Sequence, residues 1–184
     1  MAHVQSINLP HQSTPFIGRE QELDDLTTLL CNPDCRLLTL VGSGGMGKTR
    51  LALEAVHQVI IREQSDSARI FTNGIYFIAL QPINSPELIV SAIAEAIGFS
   101  FRGQQDPIAQ LLEYLHDRQL LLILDNFEHL LEGADLIAEI LQAAPDVQLL
   151  VTSREILNLQ KEWVRKVRGM RFPDNDQIED VETY

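Results

Sequence analysis

Gly42-Ser43-Gly44-Gly45-Met46-Gly47-Lys48-Thr49 has the spacing G-x-x-x-x-G-K-T, which suits a loop that cradles phosphate. Its glycines let the backbone wrap a pyrophosphate without Cβ clashes, and the loop amides donate to its oxygens. Lys48 is placed to reach the β- and γ-phosphates, and the Thr49 hydroxyl to ligate magnesium. With Arg50 next in the chain, residues 42–50 form the expected nucleotide-binding run. Gly42-x-Gly44-x-x-Gly47 also satisfies the dinucleotide fingerprint, which requires an acid about 20 residues on at the end of the second strand. Glu63 and Asp66 stand near that distance but fall in a helix end and a polar stretch. The Lys48-Thr49 pair has no role in that scheme, so the phosphate-loop reading is preferred.

A second group of residues supplies what a bound triphosphate needs. Leu122-Ile123-Leu124-Asp125 is an apolar run closed by an acid, and Asp125 there can support magnesium as a Walker B acid does. Capping the following helix is the alternative role. Many hydrolytic relatives carry a second acid at the next position, which here is Asn126. Asn126 can orient a water but cannot take its proton. Glu128 is the nearest carboxylate and a candidate base, against the plainer role of an acid in the first turn of a helix. Arg154, after Val151-Thr152-Ser153, offers a rigid fork of donors to a γ-phosphate, with surface pairing to Glu155 or Glu162 as the alternative. Lys48, Asp125, Arg154 and Glu128 are the expected catalytic set, and Thr49 and Asp125 the metal pair. Slow hydrolysis, or hydrolysis that needs a partner's residue, is the expectation.

These residues must be positioned by alternating strands and helices. Leu37–Val41 is a short apolar run between a turn and a glycine cluster, as in a strand covered on both faces. Further strands are predicted over Gly74–Leu80, Leu120–Leu124, Val147–Val151 and, more weakly, Trp163–Val167. Helices are predicted over Glu20–Leu30, from Lys48 to about Glu63, from Ser85-Pro86-Glu87 to Gly98, from Asp106-Pro107, and from about Glu128 to Ala144. The pattern predicts an α/β, three-layer fold around a parallel five-stranded sheet. Residues 1–15 read as an arm, 16–171 as the nucleotide-binding domain and 172–184 as an acidic linker.

Composition sets the outer limits. The chain has 184 residues, 45% of them hydrophobic and 22% charged, proportions that exclude disorder or coiled coil for the whole. The net charge is −12, and the chain stays acidic even without the five acids of its last eleven residues. Direct nucleic-acid binding is therefore not expected. Lys161, Arg165, Lys166, Arg168 and Arg171 form a local basic run, read as a solvated edge or docking surface. Cys31 and Cys35 are too few for a disulfide scaffold and lack a nearby histidine for zinc. No apolar run reaches the roughly 18 residues of a spanning helix, and Met1–Pro10 carries no secretory signal, so a cytoplasmic location is expected.

Together these pieces resemble the nucleotide-binding domain of STAND-class P-loop ATPases, the NB-ARC or AP-ATPase type, over about Thr14 to Arg171. The opening signature stands here as Phe16-Ile17-Gly18-Arg19-Glu20, the sensor motif as Thr152-Ser153-Arg154, and Leu124-Asp125-Asn126-Phe127-Glu128-His129-Leu130 is similar to bacterial signalling ATPases and transcriptional regulators. The resemblance implies that Phe16, Ile17 and Arg19 lie against the adenine, and that the sheet order is 5-1-4-3-2. It implies ATP and ADP as ligands, with magnesium, and a nucleotide-dependent signalling switch with slow hydrolysis. Its implied partners are a helical lid and a winged-helix domain, both absent from this sequence, and self-association under nucleotide control. Two alternatives differ in class: a module that holds ADP without turnover, and a small-molecule kinase, for which no acceptor-binding feature is visible.

Overall fold

A computed structural model describes residues 6–66 and 70–169; the acidic stretch 172–184 and Arg171 lie outside the described residues. Six parallel strands form one sheet: β1 (Ile7–Asn8), β2 (Leu37–Val41), β3 (Gly74–Ala79), β4 (Leu120–Asp125), β5 (Val147–Ser153) and β6 (Glu162–Lys166). Five α-helices accompany them: α1 (Glu20–Leu30), α2 (Lys48–Asp66), α3 (Leu88–Ala96), α4 (Pro107–Leu115) and α5 (Ala134–Ala143).

The central strands are buried on both faces, and alternation along each strand divides their side chains between two cores. Leu120, Leu122 and Leu124 join Leu149 and Val151 under α3, α4 and α5, where Ile89, Ile93, Leu111, Leu115, Ile137 and Ile140 are buried. Leu121 and Ile123 join Leu38, Leu40 and Leu150 on the opposite face, under α1 and α2. In α2, Leu51, Ala52, Ala55, Val56 and Val59 repeat at helical spacing and turn one stripe to that core. This double burial gives the three layers.

The sheet has six strands in the order β1-β3-β4-β5-β2-β6, which corrects the expected count of five; the expected order 5-1-4-3-2 did not include the edge strand β1. The arm contributes the sixth strand, a two-residue edge pairing Ile7 with Ile75 and Asn8 with Tyr76. Its two residues carry no periodicity, and the pairing arises because β3 offers an open edge: Ile75 N–H donates to Ser6 O at 2.9 Å. The five longer strands succeed one another as β6-β2-β5-β4-β3, so β5 lies between the strand that feeds the glycine-rich loop and the strand that ends in Asp125.

Two helix starts also differ from expectation. Ser85-Pro86-Glu87 forms a turn, and α3 begins only at Leu88 with Glu87 as its cap residue. The predicted helix from Glu128 is broken into two 3-10 turns, Phe127–His129 and Leu131–Gly133, before α5 starts at Ala134. The break is bridged by side-chain packing: Phe127 and Leu130 are buried in the α3–α5 core. By contrast Asp106 caps α4 as its sequence predicts, accepting from Ala109 N–H at 3.0 Å with Pro107 at the first helical position. Among the described residues no helix is long and apolar enough to cross a membrane.

Candidate functional site

The glycine-rich loop joins the end of β2 to the start of α2, as the strand–loop–helix order requires. Gly45 and Gly47 both adopt φ of +78°, a left-handed backbone that other residues enter only with strain. Gly42 meets a different constraint. A Cβ there would stand 2.6 Å from the Val167 carbonyl oxygen, so only glycine lets the loop pass the segment that follows β6.

Lys48 is buried, and its Nζ donates to the loop's own carbonyls, Gly42 O at 2.7 Å and Ser43 O at 3.2 Å. The ammonium is thus held inside the loop's curve. Thr49, in the first turn of α2, donates its hydroxyl to Asp125 Oδ1 at 2.6 Å. Alternation explains the meeting: Asp125 continues the side of β4 that carries Leu121 and Ile123, the face covered by α2. Thr152 continues the Leu150 side of β5 and reaches the same oxygen at 2.6 Å. Its hydroxyl also accepts from Asn126 N–H at 3.0 Å. Asp125 therefore caps no helix; it gathers two hydroxyls. Asn126, with φ of 65°, turns the chain away from the strand end.

Oxygen donors from a threonine hydroxyl and one carboxylate fit a hard divalent cation such as magnesium. Among the described residues no group of three or more His, Cys, Asp or Glu side chains gathers as a metal cluster, so this donor pair would depend on phosphate oxygens to complete a coordination shell.

Arg154 pairs with neither Glu155 nor Glu162. Its Nε donates to Glu128 Oε1 at 3.0 Å, and its Nη2 stands 3.3 Å from where a Cβ on Gly44 would lie. The structure thereby brings Lys48, Thr49, Asp125, Glu128 and Arg154 to one rim, the carboxyl ends of the strands, where open α/β sheets bind ligands.

A cleft of about 430 Å³ adjoins the loop, lined by Phe16, Ile17, Arg19, Met46, Arg50 and their neighbours. Ile17 is 77% exposed, a large apolar side chain left uncovered beside the cleft. Arg50 grips the arm, donating from Nη1 to Thr14 Oγ1 at 2.7 Å and from Nη2 to the Thr14 carbonyl. Arg19 donates to Arg168 O at 2.8 Å and lies beside Glu22 at 3.7 Å. Both guanidiniums keep one buried nitrogen without a hydrogen-bond partner, Arg19 Nη1 and Arg50 Nε. Four cations (Arg19, Lys48, Arg50 and Arg154) thus surround the loop in a chain of net charge −12, a local field suited to a polyphosphate.

Thr152 and His129 stand in quoted motifs, but the sequence assigns neither of them a role. Thr152 was visible only as part of a motif; its fixing of Asp125 depends on β5 lying beside β4. His129 Nε2 lies 2.7 Å from Ile83 O and 3.1 Å from Leu80 O, tying the turn after β3 to the segment after β4, and no spacing announced it. Of the two acids the dinucleotide alternative offers, Glu63 is buried in α2 and accepts from Ile70 and Phe71 N–H at 2.7 and 3.0 Å, and Asp66 also falls in α2 and not at a strand end.

Comparison with known proteins identifies the family and the fold. A provisionally named HTH-type transcriptional regulator of Mycobacterium tuberculosis is 34% identical over 140 residues, covering 76% of this chain and 15% of that one. An uncharacterized protein of the same organism is 34% identical over 167 residues, covering 90% of this chain and 40% of that one. This chain thus spans well under half the length of either relative. The ADP form of the ORC2 protein of Aeropyrum pernix superposes with a TM-score of 0.65 at 16% identity, over 87% of this chain and 50% of that one, a likeness that concerns fold alone. Residues 32–161 match the AAA domain family, and the chain accordingly belongs to that family of P-loop NTPases as an AAA-type nucleotide-binding ATPase domain.

Proposed function

We propose that this domain is a nucleotide-operated switch of the STAND class, binding ATP and ADP with magnesium and hydrolysing ATP slowly in a signalling or transcription-regulating protein. The observation that carries the proposal is the Thr49–Asp125 contact at 2.6 Å, closed by Thr152 beside a glycine-rich loop that holds Lys48 in its curve. The regulator name of the mycobacterial relative supports the output assigned here, and the signature Phe16-Ile17-Gly18-Arg19-Glu20 supports the class.

In this scheme the loop amides and Lys48 hold the phosphates, and Phe16, Ile17 and Arg19 line the space for the base. Thr49 and Asp125 hold magnesium, which when bound would neutralise phosphate charge. Hydrolysis adds a water oxygen to the γ-phosphorus. The bond to the β,γ-bridging oxygen breaks, its electron pair leaves with ADP, and Glu128 takes the water proton before passing it to bulk solvent. Arg154 supplies positive charge at the γ-phosphate. The protein works in the cytoplasm, with a helical lid and winged-helix domain as its intramolecular partners, self-association under nucleotide control, and no direct contact of this domain with nucleic acid or membrane.

A second reading is an ADP-holding module without turnover, favoured by Asn126 in the place of an acid. Calorimetric titration with ATP and ADP, each with and without magnesium, tests the common premise. Magnesium-dependent binding of both is expected, and Lys48→Ala should abolish it. Affinity unchanged in a folded Lys48→Ala protein would refute the assignment. Phosphate release by the parent chain and by Glu128→Gln then separates the two readings, because the switch predicts slow release that the variant loses.

A further inference from the structure

Glu128 sits in an unusual position for an acid. Its side chain is 18% exposed, and Oε1 accepts from Arg154 Nε at 3.0 Å. Its other oxygen, Oε2, is shut off from solvent and has no hydrogen-bond partner. A closed, unpartnered carboxylate oxygen is costly to keep and points to a state in which it gains a donor. Arg154 is the opposite case: its side chain is 62% exposed, and the guanidinium extends over the glycine-rich loop at Gly44. One cation thus spans the carboxylate and the loop that cradles phosphate.

We propose that the Arg154–Glu128 pair is a latch gated by the γ-phosphate. This rests on the reading of the domain as a triphosphate switch. With the site empty or holding a diphosphate, Arg154 stays on Glu128 and the carboxylate is closed to water. A γ-phosphate beside Gly44 competes for the same guanidinium with more charge and with the bidentate geometry that arginine favours. When Arg154 moves to it, Oε1 loses its donor and becomes free to accept from the attacking water. The competition is winnable because the Arg154 side of the pair is exposed and screened by solvent, so that the pair is worth only a factor of about two to five in an equilibrium. The base is thereby armed by the substrate and disarmed by the product.

The test uses the 184-residue chain labelled with 15N-arginine, the Arg154 Nε–H signal being assigned by its loss in Arg154→Lys. Magnesium with ADP, and magnesium with a non-hydrolysable ATP analogue, are added in turn while calorimetry establishes saturation. The Arg154 signal is expected to keep its free-protein position with ADP and to shift with the analogue. Glu128→Gln is expected to bind the analogue about two- to fivefold more tightly with ADP affinity unchanged, since it removes the competing charge. A saturated analogue complex with Arg154 unmoved, or equal shifts with both nucleotides, would overturn the latch and leave the nucleotide reading intact. Binding of neither nucleotide would overturn both.

Discussion

Thr152→Val isolates one hydroxyl at the centre of the site. Thr152 is fully buried, and its Oγ1 donates to Asp125 Oδ1 at 2.6 Å while accepting from Asn126 N–H at 3.0 Å. Valine keeps the branched shape, so the cost reports on the hydroxyl and not on a cavity. A hydrogen bond to a charged group is worth about 1.5–3 kcal/mol, and leaving an amide without its acceptor costs about 1–3 kcal/mol. The two bonds share an atom and do not simply add, so a total near 3 kcal/mol is expected. For a chain of this size that lowers Tm by roughly 6–12 °C. Urea denaturation and thermal melting measure it, with Thr152→Ser, which retains the hydroxyl, as the control. The variant should also weaken magnesium-dependent nucleotide binding, since Asp125 is then held by Thr49 alone. A loss of stability below about 1 kcal/mol would refute the view that Thr152 fixes Asp125.

Gly42→Ala places a methyl 2.6 Å from the Val167 carbonyl, on a segment already tied to β2 by Val167 N–H donating to Val41 O at 2.8 Å. Overpacking against backbone should cost about 1–3 kcal/mol in a thermal melt and weaken nucleotide binding with it. Cys35 is 1% exposed, and burial pushes its thiol up from 9.0 to about 11. The folded state therefore keeps a proton that the unfolded chain releases near pH 9. The stabilisation is complete below that pH and is lost as pH rises through about 11, amounting to about 2–3 kcal/mol. Denaturation midpoints from pH 8 to 11 should fall more steeply for the parent chain than for Cys35→Ala; parallel curves would count against it. Asp106→Ala removes the cap of α4 and should cost about 1 kcal/mol, read as a lowered urea midpoint.

The order of these interactions along the chain explains how much was legible beforehand. The glycine-rich loop, Lys48, Thr49 and Asp125 are set by local chemistry: a short run between a buried strand and a helix, and an acid closing an apolar run. Apolar patterning located the five longer strands, because strands covered on both faces must be apolar throughout. Patterning could not locate β1, since two residues hold no period and their pairing depends on an open edge sixty-odd residues away, at Ile75 and Tyr76. Nor could it locate the break after Asp125, where apolar spacing suits a helix but burial of Phe127 and Leu130 holds 3-10 turns instead.

Residue types alone thus determined that a glycine-rich P-loop, an acid closing a buried strand and an arginine closing another exist in this chain. Their relation was decided by tertiary structure. Placing β5 between β2 and β4 turned Thr152 and Asp125 to the α2 face, where Thr49 meets them, and set Arg154 against Glu128 in preference to its sequence neighbours. Strand order and register are properties of pairing between distant segments, so no local window of sequence contains them.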